Sequence, residues 1–357
     1  MYATYLTCAE QAAMDSCTRD CLVDCGWLQK QIQTGESGPE GKIKILDCTF
    51  KPAPKPDPEL YEKEYFGCIG KLLHMPSEYR QQYEKEHIPT AIFFDLQAAM
   101  FPAKKQRLAM YAPEIFHKYV QSLGISKEDT LVLYDRSPLA GMLFAAKAWW
   151  LLKTYGYDCV ALLNGGLEEW KKQGFDTTDQ ITLFHVEPSK DSDEPSDVHQ
   201  PWCVCLTKED QKENSSTGLS VCFSELFEQD LIGKADVTVV DARPEEQFLG
   251  SVELPLPKGL SGSRLGGSIS MPVAKFFADG KLKSQHEINE IVNSIPQFRP
   301  ENLTVCVCTF GIQASLLFFV LHRLHIGLKV KVFNGSLFEV ATTAPAYINA
   351  GSVAETG

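Results

Sequence analysis

The residue with the strongest claim to chemistry is Cys308. It ends the apolar run Thr304-Val305-Cys306-Val307, and the short stretch Thr309-Phe310-Gly311-Ile312-Gln313 separates it from the long apolar segment ASLLFFVLH. Read as strand, loop and helix, this order sets a sulfur at the carboxyl end of a strand, where open α/β sheets bind ligands. Backbone N–H groups of so short a loop can turn inward around the sulfur. A helix opening near Gln313 or Ala314 aims the positive end of its dipole at the same point. Both effects favour the thiolate and would steady a persulfide or an incoming anion. Gly311 supplies the backbone freedom that a tight curl needs. Cys306, two residues earlier, faces the same side of the strand and reads as core. A cysteine in such a loop is, on its own, equally compatible with an inert buried thiol. The reactive reading requires a thiol that solvent and reagents can reach.

The elements that would position Cys308 occur twice in the chain, in the same order. Lys44-Ile45-Leu46-Asp47 matches Thr238-Val239-Val240-Asp241, each an apolar run ending in Asp. Ile88–Phe94 matches Gly266–Pro272, turn chemistry running into a strand. Thr130–Asp135 matches Thr304–Cys308, and Leu163-Asn164-Gly165-Gly166-Leu167 matches Phe333-Asn334-Gly335-Ser336-Leu337. Asp135, in YDRSPLAGMLFAAKAWW, therefore stands in the first half where Cys308 stands in the second. Asp47 and Asp135 are 88 residues apart and Asp241 and Cys308 only 67, so the first half carries about 20 extra residues, which the Pro-, Lys-, Glu- and Tyr-rich stretch 51–86 accommodates. Helices are expected over Ala140–Tyr155, Gln313–Leu324 and, shorter and amphipathic, Leu167–Gln173. Strands alternating with helices imply an α/β fold, each half a mostly parallel sheet flanked by helices. The expected division is a first domain over 20–184, a polar linker over 185–218 and a second domain over 219–345.

The totals agree with that division. A chain of 357 residues exceeds one ordinary core, and 44% apolar with 22% charged residues is a soluble globular balance. Net charge of −12 argues against nucleic-acid binding. No apolar run approaches the roughly 18 residues of a membrane span, so no membrane role is expected. The start MYATYLTCAEQAAMDSC has neither the basic, apolar pattern of a secretory signal nor an Arg-rich transit composition. The expected location is the cytoplasm, with the mitochondrion as the alternative. The run Lys104-Lys105-Gln106-Arg107 reads as a solvated face. Twelve cysteines in a reducing compartment should be mostly free thiols. Cys17, Cys21 and Cys25 recur every four residues and read as one helix face packed inward, since no second ligand cluster accompanies them. Cys203 and Cys205 fall in the linker and read as incidental. Nothing here calls for a cofactor or a metal.

Taken together, the residues resemble the rhodanese family in its two-domain form, the thiosulfate and 3-mercaptopyruvate sulfurtransferases. The resemblance rests on Ile45-Leu46-Asp47, His87-Ile88-Pro89 with Phe93-Phe94-Asp95, Tyr134-Asp135-Arg136-Ser137, Ala148-Trp149-Trp150-Leu151-Leu152, and Leu163–Leu167 with Trp170. In the second half it rests on Val240-Asp241-Ala242-Arg243 and on Cys308 through Ala314. These marks span roughly residues 20–340. The resemblance implies two tandem rhodanese-like domains, the first non-catalytic and the second catalytic. Its C-x-x-G-x-x-A loop matches Cys308, Gly311 and Ala314, and its cysteine takes sulfur from a donor as a persulfide. The implied partners are a small anionic sulfur donor and a thiol or cyanide acceptor, a thioredoxin-like protein being one such acceptor. The implied substrate-binding set is Arg243, Gln247, Lys258 and Arg264 with the loop residues Thr309, Phe310, Gly311, Ile312 and Gln313.

Several of these positions depart from the family pattern. The loop carries no basic residue, as in the mercaptopyruvate branch, but Thr309 and Phe310 replace the small residue and serine usual there. Gln247 stands where the family places an arginine before Phe-x-Gly, and Lys258 near a second family arginine. Gln97 replaces a carboxylate, and Phe338 and Val340 stand where a tryptophan usually follows Asn-Gly-Ser. Losing one charge-assisted contact costs about 1.5–3 kcal/mol, a factor of roughly ten to over a hundred. Two readings follow: a sulfurtransferase of weakened activity, or a rhodanese-like pseudoenzyme that binds or regulates partners. A cysteine-dependent phosphatase would need an arginine where Gln313 stands.

Overall fold

The computed structural model describes residues 21–35, 42–51, 57–73, 77–182, 218–228, 231–252, 256, 263–295, 297–324 and 328–349. Two five-stranded parallel sheets organise them. In the first the strand order is Leu22–Val23, Val160–Leu163, Thr130–Tyr134, Ile43–Asp47 and Ile92–Phe93. In the second it is Ser220–Val221, Lys329–Phe333, Leu303–Val307, Val237–Asp241 and Ile269–Ser270. The order is the same in both, and the four matched sequence segments fall on equivalent strands. Runs such as TLVLY and LTVCV are buried along nearly their whole length, as strands covered on both faces must be.

The layer between the sheets is built from helix Leu143–Thr154 of the first half and helix Ile312–His322 of the second, which pack against each other. Trp149 meets Phe319 edge-on at 5.1 Å. One apolar core runs from Leu46 and Leu133 through both helices to Val240 and Val332. Each helix is covered by its own sheet and by the other domain, which is why both are apolar on every side. Separate cores back the outer faces, around Trp170 in the first half and Phe333 in the second.

The interface is pseudo-symmetric. Each domain sends a two-stranded hairpin to the other: Met100–Phe101 with Ala109–Met110, and Phe277–Ala278 with Lys281–Leu282. Asn164 Oδ1 accepts the Leu282 amide at 3.0 Å, and Asn334 Nδ2 donates to the Leu108 carbonyl at 2.7 Å. Lys281 pairs with Glu169 at 2.8 Å, and Gln106 donates to Glu339 at 2.9 Å. The matched Asn-Gly segments thus do the same work in both domains, tying each to the opposite hairpin.

The expected helices form with shifted ends: Leu143–Thr154, Ile312–His322 and Gly166–Lys172. The first starts late because Ala140 and Gly141 are left-handed (φ 55° and 60°), which a helix cannot accommodate. The extra length of the first half includes three short helices, Pro58–Glu64, Ile69–Leu73 and Glu78–Lys85. The cysteine-lined helix face is not found. Leu22–Val23 pairs as an edge strand with Leu162–Leu163, and Asp24 caps the following helix by accepting the Trp27 amide. Cys21 therefore precedes a strand and Cys25 opens a helix; Cys17 lies outside the described residues, as do Cys203, Cys205 and the linker over 185–217. Among the described residues no helix is long and apolar enough to cross a membrane.

Candidate functional site

Cys308 is the first residue beyond Leu303–Val307, the central strand of the second sheet. Alternation along the strand sends Val305 and Val307 to the outer core and Cys306 and Cys308 to the core between the domains. Gly311 caps helix Ile312–His322 in the left-handed region, φ 77°. A Cβ there would lie 2.5 Å from the Asn334 carbonyl oxygen and 2.9 Å from its Oδ1. Gly311→Ala thus combines a strained φ with a backbone clash. It should lower stability by about 1–3 kcal/mol, read by urea denaturation; an unchanged midpoint would show that the loop relaxes freely.

The turn after Phe333 clamps the loop. The Cys308 amide donates to Ser336 Oγ at 3.2 Å, the Leu337 amide to the Cys308 carbonyl at 3.1 Å, and the Phe338 amide to the Thr309 carbonyl at 3.1 Å. Phe310 packs on Phe338 with ring centres 5.5 Å apart, and the Arg107 guanidinium lies over the Phe310 ring at 5.0 Å. Arg107 and Gln106 come from the first-domain hairpin tip. The expectation that Lys104–Arg107 is a solvated face therefore fails for its second half. Lys104 is exposed and pairs with exposed Glu59, but Gln106 and Arg107 are half-buried on the second domain. Burial pushes the Arg107 guanidinium below its usual value and pushes the Glu339 carboxyl up.

The first domain shows what such a loop holds. Asp135 is fully buried, its Oδ1 accepting the Ser137 amide at 2.5 Å and its Oδ2 the Phe144 and Ala145 amides at 2.6 and 2.9 Å. Burial pushes this carboxyl up, and the amides oppose the shift. Gly141 plays the part of Gly311: a Cβ would sit 2.5 Å from Gly166 Cα. In the first domain the strand-to-helix loop thus cradles the chain's own carboxylate.

Two expectations are corrected. Cys308 is only 1% exposed, so the open thiol required by the sequence reading is absent. The alternation that sets Cys308 on the Cys306 side turns both toward the interdomain core. Arg243, readable either as a guide for the donor or as a salt bridge at the strand-end Asp241, takes the second role: it is fully buried and forked on Asp241. Its Nε lies 2.9 and 3.1 Å from the two carboxylate oxygens, Nη2 lies 2.6 Å from one of them, and Nη2 also donates to the Ser263 carbonyl at 2.6 Å. Its charge is engaged at the strand end. The first domain repeats the pairing with Arg136 and Asp47 at 2.8 Å.

Of the other expected residues, Thr309 and Ile312 are buried while Phe310 and Gln313 are half-buried in the loop. Gln247 is half-buried on helix Glu245–Leu249. Arg264 lies over the Phe248 ring at 4.8 Å and donates to the Phe248 carbonyl at 3.3 Å. Lys258 lies outside the described residues. Sequence reasoning missed Lys147, whose Nζ reaches from the first-domain helix to Asn334 Oδ1 and, at 3.4 Å, to the Gly311 carbonyl. The signal was there to find: a lone cation in the apolar run AAKAWWLL. Arg107 and Asn334 gave no comparable local signal.

A rhodanese-like domain model matches residues 27–173. A Caenorhabditis elegans protein named provisionally as a thiosulfate sulfurtransferase is 29% identical over 335 residues, covering 92% of this chain and 97% of its own length. Thiosulfate sulfurtransferase of Bos taurus is 26% identical over 337 residues, covering 91% of this chain and 93% of its own. In fold, the chain is similar to 3-mercaptopyruvate sulfurtransferase from Leishmania major, with a TM-score of 0.61 at 19% identity over 92% of this chain and 76% of that one. Paired parallel sheets of one strand order, a strand-to-helix loop in each, and relatives that match along nearly the whole length agree: residues 27–173 match a rhodanese-like domain, and the chain as a whole is similar to thiosulfate sulfurtransferases.

Proposed function

We propose that this protein is a sulfurtransferase that carries sulfane sulfur on Cys308. The observation behind this reading is the position of that thiol. It stands at the end of the central strand, before an 11-residue helix, in the loop whose first-domain counterpart closes on a carboxylate with three amides. A persulfide is an anion of the kind such a cradle stabilises.

With thiosulfate, the Cys308 thiolate attacks the outer sulfur, the S–S bond breaks and sulfite leaves with the electron pair. With 3-mercaptopyruvate, the C–S bond breaks and the departing enolate carbon takes the thiol proton, giving pyruvate. A cyanide or thiol acceptor then attacks the outer persulfide sulfur and returns the thiolate. Among the described residues two basic groups of the first domain reach the loop, Lys147 at the Gly311 carbonyl and Arg107 over the Phe310 ring, whereas Arg243 is taken up by Asp241.

Steady-state transfer to cyanide tests the proposal. Thiocyanate should form with thiosulfate or 3-mercaptopyruvate as donor; no turnover with either contradicts it. The 1% exposure of Cys308 favours one other reading, a pseudoenzyme that keeps the fold and binds partners. That reading expects no turnover and no sulfur on the protein.

A further inference from the structure

We propose that Lys147, a residue of the first domain, is a positioning residue for the Cys308 site, bracing the cradle loop from behind and presenting a buried cation to the sulfur it carries. The inference rests on the sulfurtransferase reading and adds a role for the domain that lacks the cysteine.

Lys147 lies in the middle of helix Leu143–Thr154 and is fully buried. Its Nζ donates to the Gly311 carbonyl at 3.4 Å and to Asn334 Oδ1. Asn334 in turn donates from Nδ2 to the Leu108 carbonyl, which fixes the orientation of its amide. The chain Lys147–Asn334–Leu108 therefore starts and ends in the first domain and holds the second-domain residue against which Gly311 closes. The ammonium also lies over Trp150, Nζ 4.1 Å from the ring centre.

These partners are all neutral. Among the described residues no carboxylate pairs with Lys147 within ion-pair distance, although an unpaired buried charge is costly. Burial pushes this lysine down to about 7, and the charge on Cys308 opposes the fall. Among the described residues the one charge that favours the protonated lysine is that of Cys308. The other ionisable groups around the loop fit less well. Cys306 is pushed up by burial first and by Cys308 second, Glu339 is held by Gln106, and Arg107 lies over Phe310. A charge on Cys308 favours the protonated lysine, and an interaction of this kind is reciprocal, so loss of either charge is expected to be felt by the other.

The test compares the pH dependence of Cys308 alkylation, located by peptide mass spectrometry, in the full-length protein and in Lys147→Met and Lys147→Arg. Lys147→Met should move the midpoint up by about one pH unit and slow alkylation at pH 7 about tenfold. Lys147→Arg should restore most of the loss. A midpoint unchanged in Lys147→Met overturns the proposal. Should that variant fail to fold, the reciprocal measurement decides. The NMR titration of the Lys147 side chain should move to lower pH in Cys308→Ser, and no movement overturns the proposal equally. The two readings fail separately. An unmoved midpoint alongside normal sulfur loading removes only the role of Lys147; a moved midpoint in a protein that never loads sulfur removes only the transferase.

Discussion

Replacing Cys308 with serine should abolish transfer of sulfur to cyanide, by about a thousandfold or more, while leaving the fold intact. The size of the effect follows from the chemistry. A serine oxygen has no persulfide state, so the two half-reactions lose their shared intermediate rather than being slowed. The fold should survive because oxygen for sulfur at the loop leaves the backbone clamp in place. Ser336, Leu337 and Phe338 all hold the loop through main-chain atoms of Cys308 and Thr309. Thermal denaturation of the variant within a few degrees of the parent, with turnover lost, is the expected pair of results. Turnover retained in Cys308→Ser would move the chemistry to another residue.

The second large effect concerns stability. Asp241→Ala should destabilise the protein by about 3–5 kcal/mol, because it leaves the Arg243 guanidinium buried without its counter-charge. Arg243 and the Asp241 carboxyl are both fully buried and share close contacts, so little water can replace the lost partner. Asp47→Ala in the first domain should cost less. Arg136 keeps contacts with Thr49 and the Glu86 carbonyl, and its side chain is 15% exposed. Urea denaturation of both variants reads the difference. The same comparison decides what Arg243 is for. If it clamped the donor, Arg243→Met would raise the donor KM with little loss of stability. The fork on Asp241 instead predicts that stability falls first.

The parts of this structure legible in the sequence are those that repeat and those that are local. Apolar runs ending in Asp47 and Asp241 mark strands because a strand buried on both faces leaves no polar position to alternate. Gly311 was readable because a loop of that length needs a left-handed residue. The strand-end Asp-x-Arg of the second half was visible, but its partner was not: nothing local says whether Arg243 turns to Asp241 or to a ligand. Arg107 and Asn334 were hidden for a related reason. Their roles arise where one domain's hairpin crosses the other domain's loop, at separations of about 200 residues, and linear spacing carries no trace of that contact. Lys147 could have been noticed, since a lysine inside an apolar helix asks for a partner. The run Cys17, Cys21, Cys25 misled because a period of four was read as helix, whereas Asp24 sets the helix start one residue before Cys25. The burial of Cys308 follows from packing between domains, and its one trace in the sequence is the strand side it shares with Cys306.

The interdomain position of the thiol makes its access a property of the pair of domains. Phe310, two residues after Cys308, takes contacts from Arg107 on one domain and Phe338 on the other.

The most direct test is the intact mass of the full-length protein after incubation with thiosulfate or 3-mercaptopyruvate and removal of the free donor. A gain of one sulfur atom, mapped to Cys308, released by cyanide and absent in Cys308→Ser, is the expected result. A mass unchanged with both donors, in protein that remains folded, would contradict it.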